Sequence, residues 1–193
     1  MIYLLIPLIL IAGTIAMLAF FLLRRKQARK PFEQVATSLG LDLTYSHPQD
    51  FMLSGWYRSY PLTLITLPIA TQASPTLPCY KASVPMTNPQ GKIFVVEKGS
   101  LRYDRELAAA PLIPLKETFS PGLTGRSNDL LFSSVLLTEQ VKATIERFFA
   151  GVYMGQLFIA GDELTVIVAN EKRADLLPLC MDLLADIKDS LRS

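Results

Sequence analysis

The stretch QLFIAGDELTVIV, Gln156 to Val168, decides the fold. Two apolar runs rich in β-branched and aromatic residues, Gln156–Ala160 and Glu163–Val168, are parted by Gly161-Asp162. Two short strands around a glycine-containing pair predict an antiparallel hairpin. Upstream, Thr138 precedes a run that sets Val141, Ile145, Phe148 and Phe149 on one helical face, with Gly151 behind it. A threonine there can cap the helix by accepting from its first free N–H groups. Downstream, Leu176, Cys180, Leu183, Ile187 and Leu191 form one apolar stripe of a final helix. Asp175 is its expected cap, which leaves Pro178 in the first turn, where proline is tolerated.

Towards the N-terminus a similar unit occurs. Phe32, Val35, Ala36 and Leu39 share one face of a short helix that Pro31 starts and Gly40 ends. Phe51–Arg58 and Leu62–Leu67 then flank Ser59-Tyr60-Pro61 as a second hairpin. The two helix-plus-hairpin units, Pro31–Leu67 and Thr138–Val168, suggest a duplication that no residue-level repeat accompanies. Between them the reading changes. Prolines at 68, 75, 78, 85 and 89 predict irregular or edge structure, with Lys81–Met86 a short edge strand. Ile93–Val96, bounded by Gly91 and Gly99, reads as a buried strand. Leu101–Asn128 reads as a long surface loop with one strand near Leu115–Phe119, and Leu130–Val135 as a further strand. Strands in adjacent pairs argue against a parallel sheet. The fold class is therefore α+β, an N-terminal transmembrane helix followed by an antiparallel sheet with helices packed on one face.

The transmembrane expectation comes from residues 1–23, which carry no charge. As a helix they extend about 34 Å at 1.5 Å per residue, enough for a hydrocarbon core of roughly 30 Å. Arg24, Arg25, Lys26, Arg29 and Lys30 follow, and the first acid is Glu33. By the positive-inside rule this places the N-terminus outside and the domain in the cytoplasm of a bacterial inner membrane, single-pass. A cleaved signal would carry its cations before the apolar run and small residues after it. The domains are then 1–23 transmembrane helix and signal anchor, 24–30 basic juxtamembrane segment, and 31–193 cytoplasmic α+β domain. A reducing compartment predicts free thiols at Cys79, placed in a loop, and Cys180, placed in the core.

Leu39-Gly40-Leu41-Asp42-Leu43 and Leu53-Ser54-Gly55-Trp56-Tyr57-Arg58-Ser59-Tyr60-Pro61-Leu62, together with the C-terminal helix, hairpin and helix, resemble uncharacterised bacterial membrane-anchored α+β proteins. The resemblance implies an anchored α+β domain and no particular activity.

The chemistry expected is sparse. Net charge is +2, which gives no overall electrostatic case for nucleic acid. One histidine and two distant cysteines do not supply a zinc set. Gly122-Leu123-Thr124-Gly125-Arg126-Ser127 lacks the first glycine and the lysine of a phosphate loop, and reads as a plain turn. His47, before Pro48, reads as a solvated loop residue, and Asp104, Glu106, Asp129, Asp162, Glu163 and Glu171 as solvating charges. No catalytic, metal or cofactor-binding residue is assigned, and no cofactor is expected. The candidate membrane-surface contacts are Arg24, Arg25, Lys26, Arg29, Lys30, Trp56, Tyr57 and Arg58, the aromatics of the hairpin also being able to pack across strands or stack on bases. The function expected is a membrane-anchored cytoplasmic interaction or assembly module, with the lipid bilayer and a membrane or peripheral protein as partners and no nucleic acid. The alternative is a membrane-associated enzyme acting on a lipid or small metabolite, its site in Leu101–Asn128.

Overall fold

The structure, a computed structural model, describes residues 2–46, 50–69, 77–88, 91–99, 101, 107, 111–115, 119–169 and 173–191; for residues 2–12 it describes the backbone only. Helix α1 spans Ile2–Leu39 and strands β1 to β4 span Asp42–Tyr45, Phe51–Tyr57, Tyr60–Ile69 and Leu77–Pro85. Strands β5 (Phe94–Lys98), β6 (Ile113–Pro114) and β7 (Leu123–Ser127) follow, then helices α2 (Leu130–Leu136) and α3 (Glu139–Ala150). Strands β8 (Gly155–Ala160) and β9 (Glu163–Ala169) and helix α4 (Leu176–Ser190) complete the chain. The nine strands form one sheet, ordered β1-β2-β3-β4-β9-β8-β5-β7-β6, with every neighbouring pair antiparallel. After β4 the chain skips two strand positions to lay β5. The β8–β9 hairpin returns later to fill that gap.

The expected hairpin of Gln156–Val168 is thus the middle of the sheet. Its residues are buried nearly without interruption because both faces are covered there, which is why the sequence runs apolar rather than alternating. On one face Leu64, Ala82, Val166, Leu157 and Val96 meet Val141, Ile145 and Phe149 of α3 and Leu177, Cys180 and Leu184 of α4. On the other, Cys79, Val95, Phe158 and Ile167 lie under Leu101 and Leu107. Helices gather on a single face, as expected.

Local signals held where they are chemically specific. Thr138 Oγ1 accepts from Val141 N at 3.3 Å and caps α3. Gly40 has φ +66 and ends α1 with paired bonds, Leu41 N to Ala36 O at 2.9 Å and Gly40 N to Thr37 O at 3.3 Å. That is the Schellman arrangement, whose left-handed residue glycine adopts without a Cβ penalty.

Other expectations need correcting. Pro31 does not start a short helix. α1 runs through it, because the residues from Arg24 to Lys30 are good helix formers and Gln27, whose carbonyl loses a donor, is exposed to water. Lys81–Met86 is no edge strand: β4 lies inside the sheet between β3 and β9. Its prolines fall at the ladder ends, Pro78 opposite Pro68 and Pro85 opposite Glu163, where few bonds are lost. Cys79 therefore sits buried in β4, not in a loop. Residues 116–118 of the strand expected at Leu115–Phe119 lie outside the described residues, and a strand that the sequence did not suggest lies at Leu123–Ser127. Leu130–Val135 is helical because Asp129 accepts from Phe132 N at 2.9 Å and nucleates α2.

The placement of the chain is also corrected. Among the described residues no helix is long and apolar enough to cross a membrane. In α1 the exposed apolar side chains from Ile15 to Leu23 give way directly to Arg24. The helix then continues unbroken through the charged turn to Leu39. Single-pass inner-membrane localisation, with an outside N-terminus and a cytoplasmic domain, is withdrawn on that finding.

Gly155 opens the central hairpin, and a Cβ there would meet Ile167 O at 2.8 Å and Phe149 Cε1 at 3.2 Å. Gly155→Ala is expected to cost about 1–3 kcal/mol of stability, as overpacking against backbone does; a urea midpoint equal to that of the parent chain would contradict this packing.

Candidate functional site

The turn Arg58-Ser59 between β2 and β3 carries φ of 48° and 69° without a glycine. Both central residues of a tight hairpin turn need positive φ, which usually selects Asn-Gly. A non-glycine pair persists only where its surroundings hold it. Here α4 does so. Tyr57 Oη donates to Asp182 Oδ1 at 2.7 Å and Tyr60 Oη to Asp189 Oδ1 at 2.5 Å. Arg58 spans the two acids between them, Nη2 to Asp182 at 2.9 Å and Nη1 to Asp186 at 2.6 Å. Lys188 Nζ, 5.7 Å from the Tyr60 ring centre, donates to Pro85 O at 3.0 Å. Burial raises the Tyr57 hydroxyl pKa, and the bond to Asp182 raises it further. Each ion pair is partly solvated and contributes up to about 1 kcal/mol; their shared geometry fixes the turn against the last helix.

Two of the proposed surface contacts, Tyr57 and Arg58, are therefore engaged inside the domain. Trp56 points the other way and is 70% exposed. With Ser54, Pro61, Thr63, Ser83 and Glu163 it lines an open groove of about 330 Å³ on the sheet face opposite the helices. Lys81 Nζ lies 4.0 Å from Glu163 at its edge. The groove holds hydroxyls and one carboxylate, with no hydrogen bond from a hydroxyl to Glu163 among the described residues.

The basic turn of α1 brings the other five together. Arg24, Arg25, Lys26 and Lys30 are exposed, with the Arg24 guanidinium 5.1 Å from the Phe20 ring centre. Arg29 is half-buried, its guanidinium carbon 3.9 Å from the Tyr45 ring centre on β1. Arg29 Nε and Tyr45 Oη are both buried without a hydrogen-bond partner. Just before this turn Ile15, Met17, Leu18, Phe20, Phe21, Leu22 and Leu23 stand 55–63% exposed. An apolar stretch thus runs straight into unneutralised charge.

The remaining expectations fall as follows. His47 lies outside the described residues. Of Gly122–Ser127, expected as a plain turn, only Gly122 lies in a turn; Leu123–Ser127 is strand β7, and no phosphate loop is formed. Among the described residues no three His, Cys, Asp or Glu side chains gather as a metal would require. In Leu101–Asn128, Leu101 and Leu107 are buried on the outer sheet face, with Leu112 packed beside them, and Leu115 and Phe119 pack against the helical side. Asp129 is no solvating charge: Lys92 pairs with it while it caps α2. The carboxylates Asp182, Asp186 and Asp189 were also missed. Their spacing of four and then three along a helix was the available signal, opposite the apolar stripe.

Cys79 and Cys180 are free, and burial pushes each thiol up to about 12. They belong to the cores on opposite faces of the sheet, which rules out a bridge within this fold.

No family model matches the chain, and no curated protein matches it. Among solved structures the fold recurs in the crystal structure of the mycobacterial trehalose monomycolate transport factor A, TtfA, at a TM-score of 0.61. The likeness covers 87% of this chain and 94% of that one at 8% identity, and what it shows is the fold.

The folded chain should resist Ellman's reagent at pH 8 and release two thiols in denaturant; fast reaction of either native thiol would contradict its burial. The bond from Lys92 foremost, with the Phe132 N–H, holds the Asp129 carboxyl below its usual range. A depressed carboxylate contributes stability above its unfolded pKa, lost as pH falls through the folded one. Asp129→Asn should accordingly lower stability at pH 7 and flatten its decline below about pH 4; an unchanged acid limb in urea titrations would refute the pairing.

Proposed function

We propose that this chain is a non-enzymatic interaction or assembly module that works beside a lipid surface. Its partners on this reading are the lipid phosphates and a membrane or peripheral protein. The observation that carries it is the junction on α1: seven large apolar side chains, each 55–63% exposed, lead directly into five cations with no acid before Glu33. Contiguous exposed apolar surface marks an interaction site, and cations close to an anionic leaflet gain about 1 kcal/mol each. Apolar helices of the partner protein cover the first part, and headgroups meet the second. The reading calls for contact with the surface and its protein, not for α1 to cross it.

Two further observations support a binding role. The conspicuous hairpin residues Tyr57, Arg58 and Tyr60 are held by α4, so they are not a free platform for bases. In the described part of Leu101–Asn128, the region of the alternative enzyme reading, Leu101, Leu107 and Leu112 supply apolar cover, and Arg126 and Thr124 are bonded to Glu97. The structural neighbour TtfA is named as a transport factor for trehalose monomycolate, and a factor in transport is compatible with this reading.

Two measurements on the full chain test it. A photo-crosslinker at Leu18 or Phe21 should capture one defined protein in cells. Preference for phosphatidylglycerol vesicles over phosphatidylcholine should fall about fivefold for each of Arg24, Arg25, Lys26 and Lys30 changed to Gln. Diffuse crosslinking, together with equal binding to both vesicles, would overturn the proposal.

A further inference from the structure

The five cations of the α1 turn are not equivalent. Four project into solvent, whereas Arg29 is half-buried and stacked on Tyr45 at 3.9 Å. Three other arginines are matched to carboxylates, Arg58 to Asp182 and Asp186, Arg126 to Glu97 and Arg173 to Asp175, whereas Arg147 is exposed to solvent on α3. Among the described residues Arg29 makes no ion pair. Glu33, one turn further along α1, is exposed and lies close enough to act on the Tyr45 hydroxyl, yet does not bind Arg29. Arg25 and Lys26 precede Arg29 by four and three residues, which sets both beside it on the helix surface. Arg29 Nε and Tyr45 Oη remain buried and unpaired at the centre of this arrangement.

Stacking has a directional consequence. A ring engages the flat face of a guanidinium; Arg29 Nε is buried beside it, and the terminal Nη donors in the same plane remain for a ligand and hold their orientation. That planar fork fits two oxygens of a phosphoryl group, whereas a lysine offers a point charge with no preferred geometry. Four solvent-exposed cations give a diffuse field. A positioned arginine among them gives a site.

We propose that Arg29, oriented by Tyr45 and flanked by Arg25 and Lys26, binds a phosphoryl anion through its paired N–H donors, whether a phosphate monoester on a lipid headgroup or free inorganic phosphate. Tyr45 is a positioning residue. The lipid form of the proposal rests on the reading of this turn as facing lipid phosphates; the free-anion form stands without it.

The test follows arginine Nε–H and backbone resonances of the full chain in maltoside micelles. Inorganic phosphate and short-chain phosphatidic acid are titrated separately, each against chloride at matched ionic strength. Saturable movement of the Arg29 signal is expected. Arg29→Lys should weaken binding, read from the backbone signals, about tenfold, while Lys142→Gln, which removes a charge on α3 away from the basic turn, changes it under about threefold. Tyr45→Phe should keep the affinity and Tyr45→Leu lose it, with circular dichroism verifying both folds. Saturation by both ligands supports a site for the phosphoryl group itself; saturation by phosphatidic acid alone assigns it to the headgroup, and by phosphate alone to the free anion. No saturable movement with either ligand overturns the site, as does an equal loss in Arg29→Lys and Lys142→Gln. If phosphatidylglycerol vesicles still bind in that case, only the site has failed. If phosphate saturates Arg29 while anionic vesicles are ignored, the lipid reading has failed and the site remains.

Discussion

Covering both faces of the β8–β9 hairpin is the constraint on which the rest of the molecule depends. The chain leaves a gap two strands wide between β4 and β5, and only this hairpin closes it. Leu157, Ile159 and Val166 on one side and Phe158 and Ile167 on the other then need opposite covers. Helices α3 and α4 supply the first, and Leu101 and Leu107 the second. With the middle in place, the strands on either side extend one continuous ladder instead of two separate sheets.

Polar contacts lock the periphery to that middle. Asn88 donates to Lys92 O and Gly161 O, both at 2.8 Å, and so ties the β4–β5 connection to the central turn. Lys92 reaches Asp129, which also caps α2. On the far side the acids of α4 hold the β2–β3 turn in a conformation that Arg58 and Ser59 would not choose alone. These bonds are modest singly in water. Their effect is positional: they commit these polar groups within the domain, while α1 carries exposed apolar side chains next to cations that form no ion pair among the described residues.

Legibility followed the range of the interaction. Thr138, Gly40 and Gly161 were readable because caps and turns are decided by residues a few positions apart. β4 was misread because its partner β9 lies some eighty residues later in sequence, and no local pattern shows that prolines at 78 and 85 will fall at ladder ends. Asp129 was misread for the opposite reason: its cap to Phe132 is local, but the apolar run behind it suits a strand equally well. The basic turn was found from composition, while the distinction of Arg29 from its neighbours required Tyr45, on a strand the sequence left unassigned.

By itself the sequence determined the α+β class, the hairpins at both ends, the capped helix after Thr138, the final helix and the place where charge follows apolar surface. Those are properties of periodicity and of short-range hydrogen bonding. The tertiary structure alone decided strand order, the burial of Cys79 in an inner strand, the unbroken course of α1 through Pro31 and the capture of Tyr57, Arg58 and Tyr60 by acids more than a hundred residues away. Each depends on which distant surfaces meet, and that is settled by the burial of a shared core, not by any residue's neighbours along the chain.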